Sequence, residues 1–179
     1  MNAPTHFPLR QLVTDPSERF PLRFAQQGAL LLEGFAGVHT ESTAKGLLLN
    51  AVAERDLHAA TVMLRVAFPI VRADPIEVVY LNDGTLEPYV RVRVTTPQDY
   101  YGDVVGQLNK RRAWIEDMAD AAQGYKLVTV AAPLAEMLGY DEILAKTTRN
   151  RAIAEYQFLD YRPARNEPPT PPGPTAAMA

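Results

Sequence analysis

Three histidines, His6, His39 and His58, are the side chains best suited to move a proton near neutral pH or to ligate a metal. His39 and Glu41 lie close together in the chain, yet a zinc site or an acid–base pair needs a third ligand or an orienting partner, and the sequence offers none. Glu116-Asp117 and Asp141-Glu142 supply adjacent carboxylates, which a solvated surface explains better than glycoside chemistry. The chain has no cysteine, so disulfides, thiolate metal sites and thiol nucleophiles are all excluded. No Gly-x-x-x-x-Gly-Lys-Ser/Thr phosphate loop occurs either. Without a nucleophile, base and orienter, the expectation is a protein with no catalytic residues, no metal, no cofactor and no nucleotide.

Binding chemistry is better represented. Lys110, Arg111 and Arg112, with Arg149 and Arg151, form two basic clusters that each follow an expected helix and could meet phosphates. Basic groups at helix ends also complement the helix dipole, so solvated dipole partners are the competing reading. Arg91 and Arg93 alternate with valines on a strand, and a later strand offers Glu155 and Gln157 for the same face. Cross-strand ion pairing competes there with a partner surface. The 18 Lys and Arg against 21 Asp and Glu give a net charge of -3, so any nucleic-acid contact must come from a local patch.

The elements that must position these residues differ in clarity along the chain. Between Leu9 and Leu81 the pattern predicts a short helix over Leu9–Thr14, and a hairpin of Phe20–Gln26 and Ala29–Glu33 turning at Gln27-Gly28. A helix over Glu41–Arg55 follows, with Ala44, Leu47, Leu48, Ala51 and Val52 inward, then strands over Thr61–Val71 and Ile76–Leu81 at an edge marked by Pro69 and Pro75. After the turn-rich residues 82–88 the alternation is clean, and Val90, Val92 and Val94 must share one strand face. Thr96-Pro97-Gln98-Asp99 reads as the start of a helix that ends at Lys110-Arg111-Arg112. A hairpin of Trp114–Met118 and Lys126–Ala131, a helix over Leu134–Lys146 and a strand over Ala152–Tyr161 complete a strand-helix-strand-strand-helix-strand order. The fold class expected is α+β, as two tandem ferredoxin-like (split βαβ) modules, the first without its opening strand.

Four ordered motifs carry a family resemblance: Leu86-Glu87-Pro88-Tyr89 leading into Val-Arg-Val-Arg-Val-Thr-Thr-Pro, Tyr100 to Arg112, Pro133 to Tyr140, and Arg151-Ala152 through Phe158 to Tyr161. This segment resembles the last, fifth domain of translation elongation factor G and its ribosome-binding GTPase relatives. More faintly, the first module resembles the third domain of the same factor. Gly34-Phe35-Ala36-Gly37-Val38-His39-Thr40-Glu41 keeps Gly34, His39 and Glu41 of a family stretch that lies near the GTPase switch, and loses its second glycine and first glutamate. The resemblance implies residues 1–81 as a third-domain-like module and residues 82–162 as a fifth-domain-like module, with the fourth domain missing between Leu81 and Leu86. It implies a non-enzymatic binder of the ribosome, contacting rRNA and ribosomal protein at the factor site, or of another translation-associated partner, without translocation. An interaction or self-association module, such as a homodimer, is the alternative.

The stretch 163–179 holds Pro163, Pro168, Pro169, Pro171, Pro172 and Pro174 with almost no large apolar side chain, the composition of a disordered tail. No apolar run approaches the roughly 20 residues of a membrane span, and no leader pattern opens the chain. A cytoplasmic location is the expectation.

Overall fold

A computed structural model describes residues 7–164, so the proline-rich stretch beyond Ala164 lies outside the described residues. The chain folds into two antiparallel sheets, each with helices on one face.

The first sheet is built from β1 (Leu9–Thr14), β2 (Val38–Thr43), β3 (Gly46–Ala51) and the short pieces β4 (Arg72–Ala73) and β5 (Glu77–Val78). Its order is β2-β3-β1-β4, with β5 also pairing β1. Helices α1 (Pro21–Leu31) and α2 (Glu54–Ala67) complete a strand-helix-strand-strand-helix-strand order. Thus the first module does have its opening strand. It is β1, where the local pattern suggests a helix. Leu9 and Val13 are buried against the helices, and Gln11 stands between them on the same face. Gln11 is inside because its amide donates to the Asp74 carbonyl at 2.7 Å and accepts from Thr61 Oγ1 at 3.4 Å. A polar residue in the buried row disguises the strand's alternation.

Three further expectations are corrected in this half. The Phe20–Glu33 segment is not a hairpin but α1, opened by Pro21 at its first turn. Gly28 is not a turn residue but a packing position, where a Cβ would lie 2.9 Å from Leu47 Cδ2 and 3.2 Å from Leu64 Cδ2. Glu41–Arg55 is not a helix but the β2–β3 hairpin, and Thr61–Val71 is the body of α2 rather than a strand. In α2 the buried residues Leu57, Ala60, Thr61 and Leu64 follow helical spacing, while Val62 and Val66 face out.

The second sheet follows the sequence closely. Its strands β6 (Leu86–Pro97), β7 (Trp114–Asp120), β8 (Tyr125–Pro133) and β9 (Ile153–Pro163) pair in the order β7-β8-β6-β9. This is the same spatial order as in the first sheet. Val90, Val92, Val94, Val128 and Val130 are fully buried beneath α3 (Tyr101–Lys110), α4 (Leu134–Met137) and α5 (Tyr140–Thr148). Two boundaries differ from expectation. β6 runs on to Pro97, a 3₁₀ turn spans Gln98–Tyr100, and no side chain caps α3. The Leu134–Lys146 helix is broken at Gly139, whose φ of +69° separates α4 from α5.

Candidate functional site

The ends of α3 and α5 carry the basic clusters, and the topology sets where those ends lie. β6 and β9 are antiparallel, so the helices that precede β7 and β9 run in opposite directions. Two contacts fix this arrangement: the Arg111 guanidinium lies 5.2 Å from the Tyr140 ring at the start of α5, whereas Gln107 Nε2 donates to Thr147 Oγ1 at 2.6 Å near its end. Lys110–Arg112 therefore stand beside the start of α5, and Arg149 and Arg151 stand beyond its end, about 13 Å away along a nine-residue helix. The two clusters are separate sites on one helical layer.

They also differ in what they touch. Arg112 enters a nearly buried ion pair, its Nη2 donating to Glu87 Oε1 at 2.9 Å, with Glu136 Oε1 3.7 Å from Nη1. Glu87 is only 4% exposed. Burial works against the Arg112 charge, but the bond and the charge of Glu87 outweigh it and hold the guanidinium protonated. Arg111 donates to the Glu136 carbonyl, and so ties the end of α3 to α4. Lys110, Arg149 and Arg151 remain exposed, with no ion pair or hydrogen bond from their side chains among the described residues. Arg149 and Asn150 both have left-handed backbones, at φ 53° and 58°, and the Asn150 amide closes α5 by donating to the Ala145 carbonyl. An asparagine tolerates that conformation better than most side chains, which accounts for its use in this loop.

The helix-free face of the second sheet holds Arg91, Arg93, Glu155 and Gln157. The register sets Arg91 opposite Gln157 and Arg93 opposite Glu155. Arg91 instead pairs with Glu116 of β7, at 2.6 Å from Nε and 3.3 Å from Nη2. This bond raises the Arg91 pKa, and it is made where β7 bulges between Ile115 and Asp117. Trp114 shares this face through its register with Ala131 and Arg91, and is 64% exposed. Sequence reasoning missed it, because its side depends on a bulge that no local pattern announces.

In the first module, Gly34 and Gly37 shape the α1–β2 turn with φ near +80°, and a Cβ on Gly37 would meet Asp56 Oδ2 at 2.8 Å. His39 and Glu41 follow on β2, opposite Asn50 and Leu48 on the helix-free face. His39 stacks on Phe7 at 5.6 Å. A cleft of about 470 Å³ opens on the same face, over Leu12 and Leu48, between the β2–β3 turn and Pro75. Among the described residues, no group of three or more His, Asp or Glu side chains could hold a metal ion. No helix among them is long and apolar enough to cross a membrane.

Kinship agrees with this geometry. Residues 84–171 match the family model described as elongation factor G C-terminus, and this segment resembles a module of that type. A crystal structure of a protein from Thermus thermophilus is similar in fold, with a TM-score of 0.62 at 15% identity over 88% of this chain and 41% of the other. The chain spans about two fifths of that protein's length. At such identity the likeness speaks for the fold alone, and it extends over both sheets.

Proposed function

We propose that this protein is a non-enzymatic, ribosome- or translation-associated binding protein built like the C-terminal part of elongation factor G, and that it modulates or competes at the factor site. The observation that carries the reading is the match of residues 84–171 to the elongation factor G C-terminus. The contact residues we assign are Lys110, Arg149 and Arg151, which are exposed cations without an internal role. Arg111 and Arg112 act indirectly, holding the end of α3 against α4 and β6. The first module serves as the third-domain counterpart, joined to the second through the Leu81–Leu86 turn. No nucleotide and no cofactor take part.

Cosedimentation with ribosomes at about 50 mM salt tests this reading. The wild-type chain is expected to pellet with the ribosomes, and Lys110→Glu/Arg149→Glu/Arg151→Glu is expected to stay in the supernatant.

A second reading, self-association, is favoured by one observation. Val62, Met63 and Val66 of α2 are 60%, 41% and 82% exposed on the side away from the sheet. Light scattering at increasing concentration separates the readings, since a stable dimer that does not pellet with ribosomes supports the second.

A further inference from the structure

No element of one sheet packs broadly against an element of the other. A junction without broad packing leaves two modules free to reorient unless particular contacts hold them. Those contacts begin in the sequence Glu54-Arg55-Asp56, which opens α2. Acidic side chains suit the first turn of a helix; an arginine there opposes the dipole and has no local justification. It also faces the charge of Asp56 beside it, but its hydrogen-bond and ring partners are in the other module. Arg55 Nη1 donates to the Ala154 carbonyl of β9 at 2.5 Å, and its guanidinium carbon lies 5.7 Å from the centre of the Tyr156 ring. The Tyr156 hydroxyl in turn donates to Asp141 Oδ1 at 2.7 Å, at the start of α5. Beside it, Glu54 Oε2 accepts from the Gly139 amide at 2.7 Å, at the break between α4 and α5.

Two adjacent residues of one helix thus grip two backbone atoms of the other module. Backbone atoms cannot swing aside as side chains do, so the contacts specify a position as well as a proximity. The Ala154 carbonyl belongs to the outer strand β9, and Arg55 blunts an edge that would otherwise offer an unpaired acceptor. We infer that Glu54 and Arg55 form a clamp that locks the two modules into a single orientation, and that its release lets them turn about the Leu81–Leu86 joint. The clamp does not depend on whether the protein binds a ribosome.

The absence of cysteine allows a direct test. Spin labels on Ser42→Cys and Asn109→Cys, one exposed site in each module, report the distance between modules by pulsed electron resonance. In the wild-type background one narrow distance distribution is expected. Glu54→Ala/Arg55→Ala is expected to broaden it at least twofold while circular dichroism stays native. Glu54→Gln, which keeps an acceptor for the Gly139 amide, is expected to broaden it least. Should the double variant lose its native dichroism, Arg55→Lys, which keeps the charge and loses the planar contact with Tyr156, gives the answer alone. A wild-type distribution that is already broad, or a folded clamp variant as narrow as the wild type, would overturn the inference.

Discussion

Arg112 and Lys110 are two residues apart and have opposite roles. Arg112 neutralises Glu87, which is nearly buried at the root of β6, so removing the guanidinium leaves a carboxylate inside without a partner. Arg112→Ala is expected to cost about 2–3 kcal/mol in urea unfolding, whereas Lys110→Ala is expected to change stability by less than about 0.5 kcal/mol. Equal costs for the two would refute this division. In this chain the pair joins two of the motifs that carry the resemblance: Leu86-Glu87-Pro88-Tyr89 supplies the buried anion and Lys110-Arg111-Arg112 the cation that meets it.

Tyr140 and Tyr156 give a second expectation at this scale. Burial is the main cause that pushes both hydroxyls far above the ordinary tyrosine range, and the nearby Asp141 charge adds to it. Their pKa values are raised in the folded state, so the native protein keeps protons that the unfolded chain loses above about pH 10. Their contribution to stability is therefore complete below that pH and declines as the pH rises beyond it. In an absorbance titration at 295 nm these two of the eight tyrosines are expected to ionise only as the protein unfolds. Their titration in step with exposed tyrosines, in a still-folded chain, would contradict the burial described.

Among the elements, β3 has the sharpest requirement, at Gly46. This glycine opens the strand beside β1, and a Cβ there would lie 2.5 Å from the Val13 carbonyl oxygen, which is backbone and cannot yield cheaply. Gly46→Ala is expected to destabilise by about 2 kcal/mol or more, read as a lower urea midpoint at unchanged slope. An unchanged midpoint would mean that β1 and β3 are not paired this closely.

That pairing is also where sequence patterns failed, and the contrast between the modules shows why. In β6 the valines face the helices and the arginines face away, so a period of two is written plainly in one strand. In β3, Leu47 and Leu49 face the helices, yet Leu48 faces the cleft on the other side, so both faces are apolar and the alternation vanishes. The run Leu47-Leu48-Leu49 with its alanines then fits a helix as well as a strand. Only the pairing with β1 and β2 decides between them. In α2 the reverse holds: Val62 and Val66 suggest a strand, and they are the residues that face outward. The five candidate cations were legible as residues. Their sorting into internal and outward-facing groups was not, since it depends on Glu87 lying 25 positions before Arg112.

In the molecule as a whole, two like-ordered sheets each carry their own helices, and the helix layer of the second has cations at both ends of α5. The Glu54–Arg55 clamp gives that layer a fixed relation to the first module. Under the proposed role, an orientation set by few contacts would let two surfaces meet one large partner together, because each surface gains from the other's binding only while the geometry is held. Ribosome affinity as a function of salt is the decisive measurement for the proposed role. Three phosphate contacts through Lys110, Arg149 and Arg151 should weaken binding roughly tenfold or more between about 50 and 150 mM salt, and Lys110→Glu/Arg149→Glu/Arg151→Glu should abolish that dependence together with most of the affinity. No binding by the wild-type chain at about 50 mM salt, or the same salt dependence in the triple variant, would contradict it.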